Sequence, residues 1–104
     1  MATESIRQIE EAVAKGERFL SWTSFTEPHP PFFPPKDIYA RIDQSAIELP
    51  EQRPTDSPAP HIQTMQQEWA HLTKVEIRQM IAGYYGMVHL VDGYCGMVLD
   101  ALDR

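Results

Sequence analysis

Ile6, Ile9 and Val13 recur at helical spacing among charged neighbours, behind a possible Thr3 cap, and Gly16 follows where a helix would stop. This pattern predicts a short amphipathic helix over 4–15. The period then changes: Phe19 to Phe25 is rich in aromatic, Thr and Ser residues between Gly16 and Pro28, which predicts a strand over 18–26. All nine prolines fall between Pro28 and Pro60, where no periodicity is sustained. A long proline-rich loop over 27–60 is expected, with at most one helical turn in DIYARIDQSAIELP.

Ile62, Met65, Trp69 and Leu72 mark a short helix over 61–71. Thr73 and Glu76 then form a capping box, and Leu72 with Ile77 occupies the positions of a hydrophobic staple, so a second helix should begin at Lys74 and run to 103. Its apolar residues Ile77, Ile81, Tyr84, Val88, Val91, Cys95, Val98 and Leu102 are spaced 4, 3, 4, 3, 4, 3, 4, which predicts one continuous buried stripe. Gly83, Gly86, Gly93 and Gly96 lie off that stripe, and each costs about 1 kcal/mol relative to Ala in a helix interior. A neighbouring helix or strand approaching where side chains are missing would offset that cost. The fold class expected is a mixed α/β fragment, mostly helical, with a single strand.

A chain of 104 residues is one small domain that hides only roughly two-thirds of its unfolded surface, so oligomerisation is one remedy for an exposed apolar face. A lone strand has two unpaired edges and points the same way, to a homo-oligomer. The net charge of −6 argues against nucleic acid or an anionic membrane as partner. The first residues contain no apolar run of signal or membrane-span length, so the chain as written reads as cytoplasmic. Cys95 is the only cysteine, which excludes an intrachain disulfide, and its apolar neighbours predict a buried structural thiol.

Candidate chemistry is sparse. His29, His61, His71 and His89 match no HxxxH or HExxH spacing, and neither a GxSxG elbow nor a GxGxxG or Walker A loop is present. His29 differs by position. It follows the predicted strand and sits between Pro28 and Pro30, which limit where its ring can point, beyond the end of a strand where open α/β sheets bind ligands.

The strand, the PHPPFFPP turn at 28–35, the Ile47-Glu48-Leu49-Pro50 element and the helix containing Tyr84 to Val88, Leu90 and Asp92 together resemble the type I sulfatases of the alkaline phosphatase superfamily. The resemblance spans about 10 to 103. It implies that His29 lines a pocket and donates a hydrogen bond to the sulfate of a sulfate ester, where a donor stabilises charge on the ester oxygen.

The departures define what is missing. The family's formylglycine nucleophile arises in a C/S-x-P/A-x-R motif, which Cys95-Gly-Met-Val-Leu fails at its third and fifth positions and Ser57-Pro-Ala-Pro-His61 fails at its last. The family's calcium is held by paired carboxylates and an Asp–Asn or Asp–His pair, yet this chain contains no asparagine and no DHG. The resemblance therefore implies an internal fragment of a sulfate-ester hydrolase, lacking nucleophile, calcium and formylglycine, inactive alone, with His29 as its substrate-binding position. An alternative is a protein-interaction module, in which Pro28-x-x-Pro31 and Pro31-x-x-Pro34 with Lys36 form a polyproline ligand or the long helix mediates oligomerisation.

Overall fold

Thr73 fixes where the dominant element begins. Its hydroxyl accepts from the Glu76 N–H at 3.2 Å, and the Glu76 carboxylate accepts from the Thr73 N–H at 2.7 Å, closing the expected capping box. In the computed structural model, which describes residues 2–51 and 59–104, this starts a helix of 29 residues, Lys74–Leu102, about 44 Å long. It is the fourth α-helix in chain order, α4, after α1 Ala2–Ala14, α2 Lys36–Tyr39 and α3 Pro60–Trp69. A 3-10 turn, Gln44–Ala46, is capped by Asp43, whose carboxylate accepts from the Ser45 N–H at 2.9 Å and its hydroxyl at 2.6 Å. These bonds hold the Asp43 carboxyl below its usual range. No helix among the described residues is long and apolar enough to cross a membrane.

Helices α1 and α2 and the 3-10 turn pack on α4. Helix α1 ends at Gly16, whose φ of +68° suits a glycine, and the bonds Gly16 N–H to Val13 C=O at 2.9 Å and Glu17 N–H to Ala12 C=O at 3.0 Å form a Schellman cap. Its start at Ala2 places Thr3 inside the first turn, not at a cap. Arg7 bridges Glu4 and Glu11, and its hydrogen bonds, then that of Gln8, lower the Glu4 carboxyl to about 2. All three charges are exposed, so the network adds little stability. Ile9 of α1 is buried, and Glu10 reaches Arg104 at 3.0 Å beyond the end of α4. Further along, the Arg78 side chain donates from Nε to the Ile47 carbonyl at 3.2 Å, holding the end of the proline-rich segment on the first turns of α4.

Two expectations need correction. The strand expected over 18–26 is not formed: these residues have no regular secondary structure, and among the described residues no strand exists for them to pair with. The fold is mostly helical, without the expected β component. The buried stripe of α4 is also displaced. Tyr84, Val88, Cys95 and Leu102 are exposed, whereas Ala82, Gly83, Gly86, Met87 and Ala101 are buried, on a face turned by about a third of a turn.

Small residues face the packed chain because that chain comes very close. A Cβ added at Gly83 would stand 2.9 Å from the Phe32 carbonyl oxygen, and one at Gly86 would stand 2.7 Å from the Pro34 ring. The close approach expected at the glycines is thus found at two of the four. Gly93 and Gly96 would meet nothing within 4 Å.

The result is an open structure. Its accessible surface is 8455 Å²; a compact chain of this mass would expose about 6,000 Å². Its radius of gyration is 19.6 Å, against about 13 Å for a compact domain of this length. The buried apolar residues are only Ala2, Ile9, Ile47, Ala82, Met87 and Ala101 among those described.

Two outcomes follow for stability. Gly86→Ala should lower the unfolding free energy by about 1–3 kcal/mol, because the Pro34 ring cannot bend away, while Gly93→Ala should raise it by about 0.5–1 kcal/mol; urea midpoints of the two variants check both signs. Hydrogen bonds from the Thr73 backbone, then its side chain, depress the Glu76 carboxyl in the folded chain. Its stabilisation is therefore present above the unfolded-state value and is lost as pH falls through the lowered folded one. Amide NMR signals of residues 74–77 should show fraying on acidification, and Glu76→Ala should be frayed already at neutral pH.

Candidate functional site: the histidine turn

Residues 18–25 deliver the chain to this site. Their side chains alternate: the Thr23 hydroxyl donates to the Ser5 hydroxyl at 2.9 Å and the Phe25 ring stacks on Tyr94 at 5.5 Å, while Leu20 and Trp22 point the other way and are 95% and 90% exposed. Among the described residues no backbone–backbone hydrogen bond involves any residue from 18 to 25. The segment thus carries no regular secondary structure among the described residues, and its Leu20–Trp22 side is bare.

The turn begins where this segment ends. The His29 N–H donates to the Thr26 carbonyl at 3.0 Å, and the Phe33 N–H to the Pro31 carbonyl at 3.1 Å. The peptide bonds Glu27–Pro28 and Pro30–Pro31 are cis. Phe32 turns inward, edge-on to Tyr84 with ring centroids 5.5 Å apart, and Pro34 packs on Gly86. Phe33 points outward and is 82% exposed. In the expected PxxP motifs, Pro31 is exposed but Pro34 is covered by α4.

His29 itself stands exposed on the turn. Its Nδ1 lies 2.6 Å from the Pro30 carbonyl oxygen. A carbonyl can only accept, so Nδ1 carries a proton and Nε2 is left as the outward-facing nitrogen. The neutral ring then presents a lone pair at Nε2, and only the imidazolium presents a donor there. Two residues earlier, Glu27 has one carboxylate oxygen, Oε2, shielded from solvent with no hydrogen-bond partner among the described residues. Such an atom carries a desolvation cost of about 1–3 kcal/mol until a donor reaches it.

The remaining sequence candidates do not join the turn. His61, His71 and His89 are all exposed on α3, beside it and on α4. Cys95 is exposed, contrary to the buried thiol expected, because the packed face of α4 lies elsewhere. Among the described residues no three His, Cys, Asp or Glu side chains gather as metal ligands. The residues present therefore do not fit the calcium that the sulfatase resemblance implies for a parent enzyme, and the sequence around Cys95 does not fit a formylglycine precursor. The first two residues of the near-motif that starts at Ser57 lie outside the described residues, as does the rest of 52–58 in the proline-rich loop.

Pattern reading missed an apolar groove of about 920 Å³, formed where the turn faces the junction of α3 and α4. Pro31, Phe33, Tyr39, Trp69, Leu72 and Met80 are among its walls. They come from segments some thirty residues apart, so no local spacing announces it. His29 is not among its lining residues. No protein-family profile matches the chain, and neither a curated protein nor a solved structure matches it.

Proposed function

We propose that the chain is an internal piece of a sulfate-ester hydrolase of the type I sulfatase kind, inactive on its own, in which His29 is the sulfate-contacting position. The observation that carries this reading is the segment at 18–25, without backbone pairing among the described residues and bare at Leu20 and Trp22, which ends in the His29 turn. A strand built to lie inside a sheet, with a ligand-binding turn at its carboxyl end, has this form when the sheet around it is missing. The excess exposed surface, the unpartnered Glu27 oxygen and the idle glycines Gly93 and Gly96 each point to further protein packing on this piece.

The same incompleteness favours self-association, since burying apolar surface against a second copy offsets what the chain cannot bury alone. A polyproline-ligand role is the weaker reading, because Pro34 and Phe32 are engaged with α4.

Binding at His29 follows from its tautomer. Sulfate oxygens accept hydrogen bonds only, so Nε2 contacts sulfate as the imidazolium. The expected result is weak sulfate binding that is lost in His29→Ala. Titration calorimetry with inorganic sulfate checks it, and identical isotherms for the two proteins would remove His29 from the site. Turnover of an aryl sulfate by this chain alone would overturn the inactive assignment.

A further inference from the structure

We infer that two copies of this chain associate through residues 18–25, pairing as antiparallel strands about a two-fold axis near Ser21. This rests on the bare Leu20–Trp22 side and the unpaired backbone of the segment among the described residues, and not on sulfate chemistry.

The segment is prepared on three sides. One face is already backed by the chain's own helices through the Thr23–Ser5 bond and the Phe25–Tyr94 stack. The opposite face carries Leu20 and Trp22, among the most exposed large apolar residues of the chain. The backbone groups between are unpaired among the described residues. A two-stranded ribbon alone is marginal in water, but here each strand would bring a helical layer with it. The surface exceeds that of a compact monomer by roughly 2,400 Å². A standard interface takes only about 800 Å² from each partner, so a second copy can be accommodated entirely within that excess.

Side-chain chemistry selects the register. A two-fold axis perpendicular to the ribbon pairs residues of like parity, so the bare faces of both copies stay on one side. Centring on Trp22 would set Glu17 opposite Glu27 at both ends, a like-charge pair repeated twice. Centring on Thr23 would set Leu20 opposite Thr26 and Trp22 opposite Ser24. Centring on Ser21 sets Leu20 opposite Trp22 twice, Phe19 opposite Thr23 twice, and Arg18 opposite Ser24, with no like charges facing. Aromatic–aliphatic cross-strand pairs are favourable, and this register alone supplies them directly.

The test uses the full chain. Sedimentation equilibrium at high micromolar concentration should give twice the 11.9 kDa chain mass. Trp22→Lys should raise the dissociation constant at least about tenfold while leaving the helical circular dichroism unchanged, because Trp22 is 90% exposed in the monomer. In a Cys95→Ser background, Ser21→Cys should cross-link to its own copy under mild oxidation, and Thr23→Cys should not. A monomer at that concentration, or a dimer that survives Trp22→Lys, overturns the inference. So does larger assembly in which Thr23→Cys cross-links as readily as Ser21→Cys. A dimer that binds no sulfate keeps this inference and removes the sulfate-binding role of His29, whereas a sulfate-binding monomer does the reverse.

Discussion

Phe32 and Pro34 lie so near the axis of α4 that no side chain larger than hydrogen fits beneath them at Gly83 and Gly86. The rest of the arrangement depends on that approach. It draws the proline turn onto the middle of the helix, so that Ile38 of α2 also lies near Gly86. It also fixes which face of α4 is packed, and leaves the aliphatic stripe turned largely outward. The helix tolerates its glycines here because the lost helix propensity is offset by dispersion contacts with rigid rings.

That contact cannot close a core. Short apolar residues such as Ala82 and Ala101 bury little area, and the larger side chains that could bury more are spread over two unpartnered surfaces. One is the Leu20–Trp22 face of the extended segment. The other follows Tyr84, Val88 and Leu102 along α4. At about 25 cal/mol per Å² of apolar surface removed from water, covering either face is worth several kcal/mol, comparable to the whole stability of a small domain. The chain's stability is thus set as much by what packs against it as by its own contacts.

Local chemistry made some of this legible in the sequence. The Thr73–Glu76 box fixed the first residue of α4, and Gly16 the end of α1, because caps depend on neighbours three to five residues apart. The aromatic and Thr/Ser run at 19–25 was read as a strand since its composition suits one, yet a strand exists only with a partner, and pairing is not a local property. The 4,3 repeat from Ile77 to Leu102 was likewise real as a pattern. It marked an apolar face, not the face this chain buries. At the candidate site, the flanking prolines single out His29 in the sequence, but the bond from its Nδ1 to Pro30 and the buried oxygen of Glu27 depend on how the turn closes.

The two surfaces and the histidine turn are linked by distance. In a ribbon centred on Ser21, Thr26 lies five residues from the axis in each copy, so the two turns stand at least about 30 Å apart at opposite ends. Two imidazoles that far apart cannot share one anion, and pairing of the strands leaves each Nε2 facing solvent. Sulfate binding and dimerisation should then be thermodynamically independent, with equal affinity above and below the dimer dissociation constant. A coupling between them would require a register shifted towards residue 26, which would bring the turns together and lose the Leu20–Trp22 pairs. In such a dimer the segment would act as a spacer: the same eight residues that pair with the second copy would keep each histidine turn clear of it.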